Sequence, residues 1–98
     1  MLIREQRNLL LSNLSACWPG SLAGEPLYRV MLGVFPAYPK MHCIKDLFYL
    51  EAKGYVVRKS PRTGKVAPDC EWKGAMWAVT PAGNEVAERL IDDPAFAV

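Results

Sequence analysis

The sequence predicts an α+β domain with a three-helix core, a two-stranded β-hairpin and a C-terminal helix. The strongest sign is a helix-like run ending Leu47-Phe48-Tyr49-Leu50-Glu51-Ala52-Lys53-Gly54, followed by Tyr55-Val56-Val57-Arg58-Lys59. A basic turn from Pro61 to Lys65 and a second strand ending Trp77-Ala78-Val79-Thr80 complete that unit. The second sign is punctuation by proline and glycine at intervals that suit short helices. The third is size. With 98 residues, 51% of them hydrophobic, the chain makes one small domain (residues 1–98) that buries roughly 60–65% of its unfolded surface.

The first helix is expected to use Leu10, Leu14 and Cys17 at i, i+4, i+7 spacing, with Leu11 and Trp18 widening the apolar stripe. Leu14-Ser15-Ala16-Cys17 also has the form of a lipoprotein processing site. Asn8, Ser12 and Asn13 break the apolar run such a signal needs, and Glu5 sits in its positive start. The uncharged run from Asn8 to Gly24 holds too many Ser, Asn, Pro and Gly residues to span a bilayer. The cysteines Cys17, Cys43 and Cys70 are odd in number and widely spaced, which suits a reducing cytoplasm better than a disulfide framework or a zinc site.

Pro19-Gly20-Ser21 ends the first helix. Pro26, after Glu25, starts a second helix through Leu27, Val30, Met31 and Val34. Pro36 and Pro39 bracket a turn, and Pro39 starts the third helix. Gly54 supplies the left-handed residue that closes it. Thr80 is a good N-cap with Pro81 behind it, and Val86, Leu90 and Ile91 give the last helix an apolar face.

Two phrases resemble the winged helix-turn-helix superfamily. Leu47, Leu50, Glu51, Gly54 and Tyr55 match a Leu-x-x-Leu-Glu-x-x-Gly-hydrophobic ending of the second helix of the helix-turn-helix. Val79, Thr80, Pro81, Ala82 and Gly83 match the hydrophobic-Thr-Pro-x-Gly exit from the wing in small bacterial and phage-type regulators. The resemblance implies a helix-turn-helix at about 25–54, a wing at about 55–80 and a C-terminal helix at about 81–92. It also implies a double-stranded DNA-binding transcription regulator of phage or prophage kind, acting in the cytoplasm. Regulators of this type usually pair, so a homodimer is expected through the first helix, the last helix or the apolar tail Pro94-Ala95-Phe96-Ala97-Val98.

The residues themselves place the candidate DNA contacts. At about 100° per residue, Ile44, Leu47, Leu50 and Glu51 cluster on one side of the third helix, and His42, Lys45, Tyr49 and Lys53 project from the other. Lys45 suits a guanine edge or a phosphate. Tyr49 suits a phosphate or a thymine methyl, and His42 can reach either. Asp46 lies beside them and can accept from a cytosine amino group. Arg58, Lys59, Arg62 and Lys65 put four cations within eight residues around the wing turn. From Lys40 to Lys65 there are seven positive and two negative side chains, against five and eight elsewhere, so a net +5 segment sits in a chain of net +2. A basic face on a nearly neutral protein is what phosphate attraction requires.

Trp77 is expected in the core, whereas Trp72 is expected either under the loop after the wing turn or exposed to a partner. About ten residues from Val66 to Ala75 exceed a minimal turn, so that loop is expected to fold back or to move. No enzyme chemistry, cofactor or metal site is expected. His42 and Cys43 are neighbours pointing about 100° apart on a helix, and His42 is the only histidine. The alternative function is a winged-helix protein–protein interaction module in a larger assembly. DNA needs the charge from Lys45 and Lys53 to continue into the wing, and a protein partner does not.

Overall fold

The computed structural model describes residues 2–92, with side chains placed for residues 5–88. It is an α+β arrangement of four helices and a small antiparallel sheet. The elements run α1 (Leu2–Cys17), β1 (Leu22–Ala23), α2 (Gly24–Val34), α3 (Lys40–Ala52), β2 (Val56–Lys59), β3 (Met76–Val79) and α4 (Pro81–Asp92).

The sheet has three strands in the order β1-β3-β2, one more than the sequence predicts. Leu22 faces Trp77 and Ala23 faces Met76 across the added pair. Two residues are too few to display an alternating pattern, and their partner lies far along the chain, so β1 leaves no local signal. On the other side of β3, Val56 faces Val79 and Arg58 faces Trp77.

α1 is the hub of the packing, touching α2, α3, α4 and β3. Leu10, Leu11 and Leu14 are buried together with Leu27, Met31, Leu47, Leu50, Val56 and Trp77 in one cluster. The predicted stripe is therefore right in its leucines and too long at its C-terminal end, because Cys17 and Trp18 are exposed. On α2, Leu27 and Met31 are buried, but Val30 and Val34 are exposed. The apolar stripe read from the sequence is wider than the face that α1 and the sheet cover.

Local chemistry explains the boundaries. Pro39 is the N-cap residue of α3, one position before the helix, with the extended backbone a residue there needs. Gly54 ends it with a φ of +78°, and the Gly54 amide donates to the Glu51 carbonyl. Thr80 caps α4 as expected, its Oγ1 accepting from the Gly83 amide at 3.0 Å and donating to the Gly54 carbonyl at 2.7 Å. The Ser15 hydroxyl donates to the Asn84 side chain and ties α1 to α4. Ala87 is buried and Val86 packs on the core. The predicted contributions of Leu90 and Ile91, and the tail from Pro94 to Val98, lie outside the described side chains.

The loop between β2 and β3 folds back. Trp72 packs on the core cluster, and the Trp77 indole Nε1 donates to the Trp72 carbonyl at 2.7 Å. Gly24 makes this approach possible: a Cβ there would meet the Trp72 carbonyl oxygen at 2.1 Å. Gly24→Ala is expected to push the loop away and cost about 1–3 kcal/mol, the usual range for overpacking. Chemical denaturation followed by tryptophan fluorescence measures it, and unchanged stability would mean that the loop does not sit there.

Candidate nucleic-acid interface

α3 positions the candidate side chains by burying one side and exposing the other. Cys43, Asp46, Leu47 and Leu50 face inward, whereas His42, Lys45, Tyr49 and Lys53 are exposed. The inward set differs from the sequence reading at one consequential place. Asp46 is 3% exposed, not part of the outer stripe. Its Oδ1 accepts from Arg7 Nε at 3.1 Å and its Oδ2 from the Tyr38 hydroxyl at 2.7 Å. Burying a carboxylate requires such partners, so Asp46 is withdrawn as a base-reading residue and becomes the anchor of α3 on α1.

Arg58 is corrected in the same way. Its guanidinium donates from Nε and Nη2 to the two Glu51 carboxylate oxygens at 2.8 and 2.9 Å, and from Nη1 to the Cys70 carbonyl at 2.8 Å. Its side chain is 13% exposed, lying 4.9 Å from the Phe48 ring centroid and 5.4 Å from that of Trp77. A fork–fork pair this buried commits its charge and three of its five N–H groups inside the fold, which makes it a poor phosphate contact. Arg58 joins α3, β2 and the returning loop.

The remaining predicted cations stay free of acids. Lys45, Lys53, Lys59, Arg62 and Lys65 have no acidic partner among the described residues, whereas Lys40 pairs with Glu25 at 3.1 Å. Arg62 and Lys65 are exposed at the hairpin tip. That tip is held by its own backbone: the Ser60 amide donates to the Lys65 carbonyl at 2.9 Å, and Lys59 bridges to Val66. The Ser60 and Thr63 hydroxyls accept from the Arg62 and Lys65 amides at 3.2 Å each, a local bonding pattern that these residues favour in turns.

Sequence reasoning missed Arg7. Its guanidinium carbon lies 3.7 Å from the centroid of the Tyr49 ring, while Lys53 Nζ lies 5.6 Å from the same centroid. α1 thus brings a cation to the α3 surface from 39 residues before Asp46, a distance at which no spacing rule operates. Two apolar side chains also share that surface, Met41 at 58% and Phe48 at 40% exposure.

Burial shapes the chemistry beneath the face. Desolvation pushes the Cys43 thiol up to about 12, with Asp46 and Glu25 adding to the rise and the Tyr38 hydroxyl partly opposing it. Desolvation likewise raises the Tyr38 phenol above its ordinary value, and its bond to Asp46 adds to the effect. Comparison with protein-family models, curated proteins and solved structures returns no match for this chain.

Two outcomes are expected. Arg58→Ala lowers stability by about 1.5–3 kcal/mol, because it strips Glu51 of charged hydrogen bonds, while Lys45→Ala stays within about 0.5 kcal/mol of the native chain; paired urea titrations that reverse this order would return Arg58 to the surface. Cys43 resists a thiol reagent at neutral pH while exposed Cys17 reacts. A raised folded pKa contributes stability in full below the thiol's ordinary value of 9.0 and loses it as pH climbs towards 12. The urea midpoint should therefore hold to about pH 9 and then fall.

Proposed function

We propose that this chain is a winged helix-turn-helix protein that binds double-stranded DNA as a transcription regulator in the cytoplasm. In this reading α2 and α3 form the helix-turn-helix, α3 enters the major groove, and the β2–β3 hairpin is a wing against the phosphate backbone. One observation carries it: α3 turns both of its acids inward, onto Arg7 and Arg58, and leaves Lys45 and Lys53 outside without an acidic partner. The wing tip adds Arg62 and Lys65 on a backbone closed by its own hydrogen bonds. Phosphate attraction sets affinity, and the α3 side chains His42, Lys45 and Tyr49 supply base contacts. A homodimer placing two α3 helices in successive major grooves belongs to the same proposal.

The exposed Met41 and Phe48 favour a second reading, in which the same face docks a protein. A charge-driven complex and an apolar one respond oppositely to salt. Fluorescence anisotropy with a random-sequence duplex is expected to show binding whose logarithm falls linearly with the logarithm of salt concentration. The folded triple variant Lys45→Ala, Lys53→Ala, Arg62→Ala should reduce that slope by about 2–3, roughly one per phosphate contact removed. Folded native protein that ignores the duplex at low salt would discard the DNA reading.

A further inference from the structure

Two adjoining clefts open beside the start of α3. The larger, of about 320 Å³, is walled by Val34, Phe35, Pro36 and Pro39, with Gln6 and His42 on its polar side. The smaller, of about 150 Å³, lies among Arg7, Lys45 and Asp46 and shares Gln6 and His42 with the first. The larger volume stands at the lower end of the range for small-molecule sites, about 300–1,000 Å³. The apolar cleft therefore adjoins a polar one in which Arg7 is paired with Asp46 and Lys45 is not.

Gln6 is the residue that the fold leaves unexplained. It is only 4% exposed, yet its amide has no hydrogen-bond partner among the described residues. A side-chain amide with no protein partner is met by solvent where it reaches a cleft. Among the described residues no unpartnered side-chain nitrogen or oxygen is sealed from solvent, so the Gln6 amide reaches solvent, and Gln6 lines both clefts. That amide is open to a ligand atom that replaces its solvent partner.

The surrounding charge identifies that atom. Asp46 is already satisfied by Arg7 and Tyr38, which leaves Lys45 as the free charge of the smaller chamber. Pro39 precedes α3 as an N-cap with no side-chain hydrogen bond, so the N-terminal end of the helix, next to the clefts, adds partial positive charge. Neither chamber offers a carboxylate free to receive a ligand cation. The larger one offers flat apolar surface and almost no polar groups beyond Gln6 and His42.

We propose that the joined clefts bind a small aromatic carboxylate. Its ring lies against Phe35, Pro36 and Pro39, and its carboxylate accepts hydrogen bonds from the Gln6 amide, His42 and Lys45. The site itself does not depend on the nucleic-acid reading. Its consequence rests on that reading, since His42 and Lys45 are also groove-facing candidates and a bound carboxylate takes them away from a duplex.

The test begins without DNA. Isothermal titration calorimetry of the full chain is expected to show saturable one-to-one binding of sodium 2-naphthoate, about tenfold or more tighter than its neutral isostere 2-naphthamide. Gln6→Leu removes the amide, and Ala37→Trp fills the apolar chamber from its exposed rim. Each variant that circular dichroism shows to be folded should lose about tenfold or more in naphthoate affinity. Absence of saturable binding to the native chain, equal affinity for acid and amide, or unchanged affinity in the folded variants overturns the proposal. Saturating naphthoate should also weaken duplex binding by about tenfold. A duplex bound equally well with naphthoate present overturns the sharing of His42 and Lys45. A native chain that takes up naphthoate but no duplex supports the carboxylate site while defeating the DNA reading.

Discussion

The inward turn of both acids of α3 is the constraint on which the surface depends. Asp46 is gripped by Arg7 and Tyr38 near the middle of the helix, and Glu51 by Arg58 one turn further on. Cys43, Leu47 and Leu50 already bury the same side, but apolar contacts tolerate small rotations that a carboxylate does not. Buried ion pairs add little net stability, since desolvation offsets most of the attraction. Breaking one is costly because it strands a charge. The two pairs therefore act mainly on orientation, and they fix which residues α3 presents to solvent.

That orientation changes which charges matter. The segment from Lys40 to Lys65 has a net charge of +5 by sequence. In the folded chain, Arg58 is neutralised by Glu51 and Lys40 by Glu25, while Asp46 takes its counter-ion from α1. Five cations remain, Lys45, Lys53, Lys59, Arg62 and Lys65. The total is the same, yet its members differ from those a linear count suggests. An arginine that looks like the first residue of a basic wing serves as scaffold, and an arginine on the first helix reaches the outer face.

Local signals were legible in the sequence where a single residue decides the backbone. Gly54 with its positive φ, Thr80 as a cap, Pro39 at the start of α3 and the hairpin from Val56 to Val79 all follow from short-range chemistry. The leucines of α1 were legible because period and composition agree. What escaped depends on partners distant in sequence. β1 exists only through β3, Asp46 is buried only because Arg7 and Tyr38 come to meet it, and Val30 is exposed because no element covers that side of α2. The sequence reading set Asp46 beside the outer stripe, yet a rotation of a few tens of degrees about the helix moves a side chain from solvent into the core.

The aromatic side chains on the outer face bear on what that face recognises. A protein-docking surface offers bare rings that can be desolvated by a partner. Here the Tyr49 ring has Arg7 at 3.7 Å, and Phe48 lies edge-on to Trp77 at 6.2 Å with the Arg58 guanidinium near its ring. Each ring is already in contact with a cation, an arrangement worth about 0.5–1 kcal/mol at exposed sites. A partner seeking apolar contact would have to displace those guanidinium groups, and Arg58 is further held by Glu51 and the Cys70 carbonyl. A phosphate has no such obstacle, because Lys45 and Lys53 reach solvent and Arg7 is still partly exposed. Met41 is the other large apolar side chain exposed on α3, and one methionine is a small anchor for a protein interface. Within the function proposed above, covered rings and uncovered lysines suit a polyanion better than an apolar partner.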